Sequence, residues 1–271
     1  MSGAAPRRTV LAVRGEERRY RRDRLAAEEP MEVRVTDPSG LTSPVAVTMR
    51  TPGDDFELAA GFLVTEGVVA PGSIRRVAYC DDVAGDQLFN VVTVTTTAPA
   101  VIGEASRVAA TSACGVCGTA SLDEVEVRCA PLGAGPRIAR EVLLSFPALL
   151  RAGQRVFDKT GGLHAAGLFD PDGRLVCLRE DIGRHNAVDK VIGHAALGDA
   201  LPLADRVLVV SGRAGFEIVQ KAAVAGIAVL AAVSAPSSLA ADAAERFGLT
   251  LVGFLRDDGF NVYTHPERIL V

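Results

Sequence analysis

The chain has 271 residues, room for one large domain or two small ones. Apolar residues make up 48% of it, enough to bury a proper core, which excludes disorder as the main state. A formal net charge of −4 argues against a general nucleic-acid binder, and the longest clean apolar run, residues 227–233, is far short of the roughly 20 that cross a bilayer. Behind Arg7 and Arg8 the apolar stretch 9–13 is broken by Arg14-Gly-Glu-Glu17, so no export signal is expected and the protein reads as cytoplasmic, without a membrane partner. Five cysteines, an odd number in such a chain, do not read as a disulfide framework.

In chain order, residues 1–24 carry eight arginines against Glu16, Glu17 and Asp23. They read as a solvated arm, with a grip on an acidic partner as the alternative. Residues 25–110 read as a smaller N-terminal α+β domain. Alternation predicts strands over 31–36 and 45–49 around the turn Asp37-Pro-Ser-Gly40. A helix opens after Pro52-Gly-Asp-Asp55, with Phe56, Ala59, Ala60 and Leu63 on one face and Gly67 as its stop. Strands follow over 74–80 and 88–96. Residues 98–135 are rich in Ala, Gly, Ser and Thr, and 111–135 read as a cysteine-bearing loop and linker.

Residues 136–271 read as an α/β domain. A helix over 140–156, interrupted at Pro147, leads to strands 163–169 and 174–178 around Asp170-Pro-Asp-Gly173. Helix 184–197, strand 207–210, helix 216–225, strand 227–233, helix 237–247 and strand 250–254 follow. Short connections and continuous apolar strands predict a largely parallel sheet covered on both faces.

The loudest motif is Cys114-Gly-Val-Cys117, flanked by small residues, with Gly115 and Gly118 leaving both sulfurs exposed. Two such thiols can exchange, share a persulfide or bind metal. Nucleophilic work needs a depressed thiol pKa, which a helix starting near Ser121 would supply from its N-terminus. No metal site is expected, because closed zinc needs four ligands and there is no second Cys-x-x-Cys and no His pair at finger spacing. A thioredoxin-like site would place the pair on a βα turn, whereas here it lies between two units. Cys80, Cys129 and Cys177 end apolar stretches and read as small buried hydrophobes.

Glycine-rich junctions fall where strands hand over to helices, around Gly183, in Ser211-Gly-Arg213-Ala-Gly215, at residues 234–238 and at 256–259. Ligand crevices of open α/β sheets lie at such strand ends, where helix N-termini offer N–H groups to phosphates. Only three lysines stand among the 29 basic residues, and all three, Lys159, Lys190 and Lys221, lie near these junctions, where an ammonium can hold phosphate. His164 and His185 border them as hydrogen-bond or proton carriers. His194 reads as a packing or surface residue, and His265 stays open between those roles.

Taken together, Cys114-x-x-Cys117, the segments 157–169, 180–190 and 211–223, and 260–269 resemble the formate dehydrogenase accessory sulfurtransferase family (FdhD-type), in order from about residue 31 to the end. The resemblance implies a sulfurtransferase that takes persulfide sulfur from a cysteine desulfurase and passes it to the molybdenum (or tungsten) bis-molybdopterin guanine dinucleotide cofactor before it enters formate dehydrogenase. It implies Cys114 as the persulfide-bearing residue, Cys117 as its partner, and Phe254, Leu255, Arg256, Asp257, Asp258 and Gly259 as contacts to the guanine dinucleotide. Arg213, Lys159, His164 and His185 join them as cofactor-binding candidates.

Relatives are expected to place a basic residue late in that stretch. Here two adjacent carboxylates stand instead, so either Arg256 carries the phosphate contact alone or Asp257 and Asp258 accept from guanine. The family's second domain resembles the cytidine deaminase fold, which implies a mixed or parallel sheet. Deamination is not expected, since His164-Ala-Ala166 lacks the acid of His-x-Glu and no Pro-Cys-x-x-Cys follows. A homodimer is expected only because two-fold assemblies are commonest. The rivals are a cofactor-binding chaperone without sulfur chemistry and a thiol–disulfide switch.

Overall fold

The computed structural model describes residues 4–81, 89–102 and 131–271. Cys114, Cys117, Cys129 and the helix expected from Ser121 lie outside them.

The arginine-rich start, expected as an arm, is an antiparallel hairpin of β1 (Arg7–Arg14) and β2 (Glu17–Arg24), turned at Gly15 with φ 60°. The run Thr9-Val-Leu-Ala-Val13 is good strand material, and the arginines around it masked that signal. Next come β3 (Glu29–Thr36), β4 (Thr42–Arg50), α1 (Asp55–Thr65), β5 (Ile74–Tyr79) and β6 (Val91–Thr96). They form a four-stranded sheet in the order β4-β3-β6-β5, parallel only between β3 and β6. Met31, Val33 and Val35 point one way from β3, and Leu58, Ala59 and Leu63 of α1 cover them, giving the α+β unit its own core.

The second unit contains β7 (Ile138–Ala139), α2 (Arg140–Gly153), α3 (Phe157–Thr160), β8 (His164–Phe169), β9 (Leu175–Asp181), α4 (Arg184–Leu197) and β10 (Val207–Val210). It continues with α5 (Phe216–Val224), β11 (Val229–Ala232), α6 (Ser238–Phe247), β12 (Thr250–Gly253), β13 (Asn261–Val262) and β14 (Ile269–Leu270). The main sheet runs β13-β12-β11-β10-β8-β9. It is mixed, one of the two forms expected, and less parallel than the short connections alone suggest: β10, β11 and β12 are parallel, while β8 is antiparallel to both neighbours and β13 to β12. The tight turn at 170–173 forces β8 and β9 antiparallel. The α4 crossover then returns the chain parallel to β9 on the far side of β8.

Period-two alternation divides the buried strands between two layers. Leu208, Val210, Leu230 and Leu251 face α4, α5 and α6, while Val207, Val209, Val229 and Val252 face α2. Pro147 does not interrupt α2, because Leu143, Phe146 and Leu150 pin one face to the sheet on both sides of it, with Phe146 stacked on Phe169 at 4.4 Å between ring centroids. The helix ends instead at Gly153. The backbone N–H groups of Val156 and Phe157 then donate to Glu180 of β9, which starts the short helix α3.

The units meet where α1 crosses α4. A Cβ at Gly61 would overlap the Asp189 carbonyl, and one at Gly193 the Glu57 carbonyl, so only glycine lets the two backbones touch. Buried ion pairs flank this crossing. Lys221 lies 3.0 Å from Asp189 and 2.9 Å from Glu66, and also donates to Thr65 Oγ1 at 2.9 Å. Burial works against its ammonium, but these carboxylates outweigh it and hold the pKa above the ordinary value. Lys190 pairs with Asp181 at 2.8 Å. Two of the three lysines expected beside phosphate are thus internal clamps, with their charge already neutralised. No helix among the described residues is long and apolar enough to cross a membrane.

Candidate functional site

The carboxyl ends of β9, β10, β11 and β12 and the start of antiparallel β8 fall on one edge of the main sheet. The loops that leave this edge are joined in series. Ala214 bridges Pro236 in parallel fashion, and Ser237 N–H donates to the Ala214 carbonyl. Phe254 N–H donates to Ser234 O at 3.1 Å, and the Arg256 guanidinium donates to the carbonyls of Val233 and Leu255. The junctions at 211–215, 233–237 and 254–259 therefore form one continuous rim.

At the β8–β9–β10 end of the rim, His164 begins β8 and its ring lies against Gly212. A Cβ at Gly212 would stand 3.3 Å from His164 Nδ1, so a larger residue there would press on the imidazole. The Ser211 hydroxyl accepts from Ala165 N–H at 2.9 Å and locks this loop to the strand. Burial lowers the His164 pKa first, and the charges of Arg184 and His185 lower it further against the opposing pull of Asp181. Arg184 and His185 open α4, whose first turn holds no acidic residue. His185 Nε2 lies 2.7 Å from Glu217 at the start of α5, and this hydrogen bond is the main cause of a Glu217 pKa below the usual value. Arg184 Nε is buried and, among the described residues, without a partner.

Asp181 supports this corner from beneath. Its Oδ1 accepts from Gly183 N–H at 2.8 Å and Asn186 Nδ2 at 3.0 Å, and its Oδ2 from Thr51 N–H at 3.1 Å and Lys190. Thr51 belongs to the N-terminal unit, so a residue distant in sequence fixes the turn that presents Arg184 and His185.

The rim thus brings together His164, His185, Arg213 and the 254–259 stretch. Arg213, Arg256, Asp257 and Asp258 are exposed. Phe254 has φ 52° and a half-exposed ring, an unusual backbone for a residue with a side chain. Leu255 points the other way, fully buried in the layer beneath α2. Lys159 is exposed on α3, in the segment that precedes β8. Glu217, Arg184 and Asp181 were missed by sequence reasoning. The signal for Glu217 was its place directly after Gly215-Phe216, in the first turn of a helix rooted in a glycine junction.

Cys177 is buried, and burial pushes its thiol up to about 11. Cys80, expected buried, is half-buried, with the Arg34 guanidinium 3.9 Å from its sulfur, because it stands beyond the end of β5 at the edge of the sheet. His194 pairs with Glu57 at 2.9 Å on the surface, and His265, at φ 48°, lies 3.2 Å from Glu267.

Comparison with known proteins agrees over nearly the whole length. The sequence profile described as the FdhD/NarQ family matches residues 26–270. A relative from Streptomyces coelicolor named "Sulfur carrier protein FdhD" is 52% identical, over 99% of this chain and 97% of its own. One of the same name from Mycobacterium tuberculosis is 50% identical, over 99% of this chain and all of its own. The crystal structure of a chain described as a formate dehydrogenase accessory protein, from Desulfotalea psychrophila, superposes with a TM-score of 0.78 at 28% identity, covering 98% of this chain and 100% of that one. The chain belongs to the FdhD/NarQ family.

Proposed function

We propose that the protein is a cytoplasmic sulfur carrier serving formate dehydrogenase, with Cys114 as the persulfide-bearing thiol and Cys117 as its partner. One observation carries this reading: a chain holding Cys114-x-x-Cys117 matches, at 52% identity and almost end to end, a relative named a sulfur carrier protein. In the loading step the Cys114 thiolate attacks the outer sulfur of a desulfurase persulfide. A new S–S bond forms on Cys114 as the desulfurase S–S bond breaks, and the desulfurase departs as a thiolate with no net oxidation. In the release step the Cys117 thiolate attacks Cys114 Sγ and frees the outer sulfur as hydrosulfide. The resulting Cys114–Cys117 disulfide is reset by a thiol reductant.

The receiving substrate in this reading is the molybdenum (or tungsten) bis-guanine-dinucleotide cofactor, held at the sheet rim. The donor set suits it. Arg184 keeps a buried N–H without an acceptor among the described residues, Arg213 stands exposed beside small residues, and His164, neutral above its lowered pKa, adds hydrogen bonding without charge. Arg184, Arg213 and Arg256 would hold the phosphates, and Asp257 and Asp258 would accept from guanine N1–H and N2–H₂. The strand order β9-β8-β10-β11-β12, with β8 antiparallel to its neighbours, supports a cytidine-deaminase-like ancestry for this unit, its deaminase acid replaced by Ala166.

The test is mass spectrometry after incubation with a cysteine desulfurase and cysteine. The intact protein gains about 32 Da and Cys114→Ala does not. A Cys114→Ala protein that still gains the mass and still yields active formate dehydrogenase overturns the assignment. Nucleotide binding without any gain indicates a cofactor chaperone, and a reversible loss of about 2 Da that no gain of about 32 Da ever precedes indicates a thiol–disulfide switch.

A further inference from the structure

The β1–β2 hairpin lies outside the residues matched by the family profile, which begins at residue 26. Residues directly opposite one another in an antiparallel pair project to the same side. By the observed register, one side of the hairpin therefore carries Arg7, Arg18, Arg22 and Arg24 and no carboxylate. Glu17 and Asp23 fall on the other side, where Asp23 engages Arg21 at 3.1 Å. Among the described residues that is the hairpin's ion pair, and the four guanidiniums of the acid-free side have none. Arg7 stands opposite Arg24, a like-charge pairing that costs stability unless an anion covers it. Arg7, Arg22 and Arg24 line, with Asp23, an open cavity of about 280 Å³.

The same side is not purely cationic. Leu11 and Tyr20 face each other between the arginines, 49% and 78% exposed, with Val13 next along at 58%. An aromatic and apolar centre ringed by arginine has the composition of a protein-binding surface.

We infer that this face of the hairpin docks an acidic, extended segment of a partner protein, with an apolar side chain over Tyr20 and Leu11 and carboxylates on Arg18, Arg22 and Arg24. Side chains on one side of a strand recur every second residue, about 6.7 Å apart, and an extended peptide has the same pitch. Along β2 the order Arg18, Tyr20, Arg22, Arg24 thus calls for acid, apolar, acid, acid at alternate positions. Arginine suits carboxylate because its planar fork bonds both oxygens at once. A long polyanion fits less well. The chain as a whole is acidic, at −4 even with this hairpin included, so a nucleic acid running past the hairpin meets repulsion that a short segment does not.

The inference is independent of sulfur transfer and is tested without it. Fluorescence anisotropy of the full chain is measured with a labelled peptide Glu-Ser-Leu-Ser-Glu-Ser-Glu, its rearrangement Glu-Glu-Glu-Leu-Ser-Ser-Ser, and a short oligouridylate. The alternating peptide binds about fivefold tighter than the rearranged one, and Arg22→Gln weakens it about tenfold, the loss of a charge-assisted hydrogen bond. Tyr20→Ser, which leaves the charge unchanged, weakens it as well. Equal binding of the two peptides, tighter binding of the oligouridylate, absence of binding, or affinity unmoved by both variants overturns the proposal.

Discussion

Lys190 Nζ lies 2.8 Å from Asp181 Oδ2, two buried charges directly beneath the turn that presents Arg184 and His185. The ammonium also donates to Thr51 O at 3.0 Å, and Asp181 accepts from Thr51 N–H. One ion pair therefore joins the sheet rim to the end of β4 in the other unit. Neither charge has water to fall back on, so each depends on the other and on the backbone groups around them.

Lys190→Met removes the ammonium and leaves Asp181 buried without a counter-charge. Losing one partner of a buried pair costs about 3–5 kcal/mol. Urea denaturation should show a loss of that size, and a midpoint close to the parent's would contradict the clamp.

Gly193→Ala places a methyl group against the Glu57 carbonyl, and Gly61→Ala places one against Asp189. Neither backbone can withdraw without parting α1 from α4, so each substitution should destabilise by about 3 kcal/mol. Calorimetry checks this, and the double variant should cost less than the two losses added, because the first has already opened the crossing.

His164 should titrate below 6.5, since burial and then the neighbouring cations disfavour its imidazolium. A pKa depressed on folding contributes stability that is present above the unfolded value and lost as pH falls through the folded one. Stability should therefore decline on acidification below about 6.5, and His164→Gln should flatten the slope there. In NMR titrations Arg184→Gln should raise the midpoint but leave it below 6.5, because burial is the larger cause. A midpoint at or above 6.5 in the parent protein would exclude this account.

Asp258→Asn should weaken binding of guanosine diphosphate about tenfold or more, the worth of a charge-assisted hydrogen bond to guanine. Adenosine diphosphate, which lacks the N1–H and N2–H₂ donors, should be unaffected. Calorimetric titration with both nucleotides decides it, and unchanged affinity for the guanine nucleotide would dispose of the guanine contact.

Much of the fold was legible locally. Helix 184–197 and strand 207–210 stand where periodicity and length put them, and the turn Asp37-Pro-Ser-Gly40 is closed by Asp37 Oδ1 accepting from Ser39 N–H at 2.8 Å. The hairpin was not legible, because adjacent arginines, at 7–8, 18–19 and 21–22, break the apolar alternation that marks a strand. The glycine junctions pointed to the rim, but Leu255, read as one of its contacts, faces the core beneath α2. Alternation beyond the end of a strand depends on how the chain turns there, and Phe254 at φ 52° reverses it.

The sequence by itself determined the cysteine pair and the family, because each rests on spacing within a short stretch. Only the tertiary structure decided the parts that need partners from afar. It set β8 between β9 and β10, turned Lys190 and Lys221 inward to Asp181, Asp189 and Glu66, and brought Glu217 to His185. A buried charge is stable only where the whole fold supplies its counter-charge, and no local pattern of residues records which distant side chain that is.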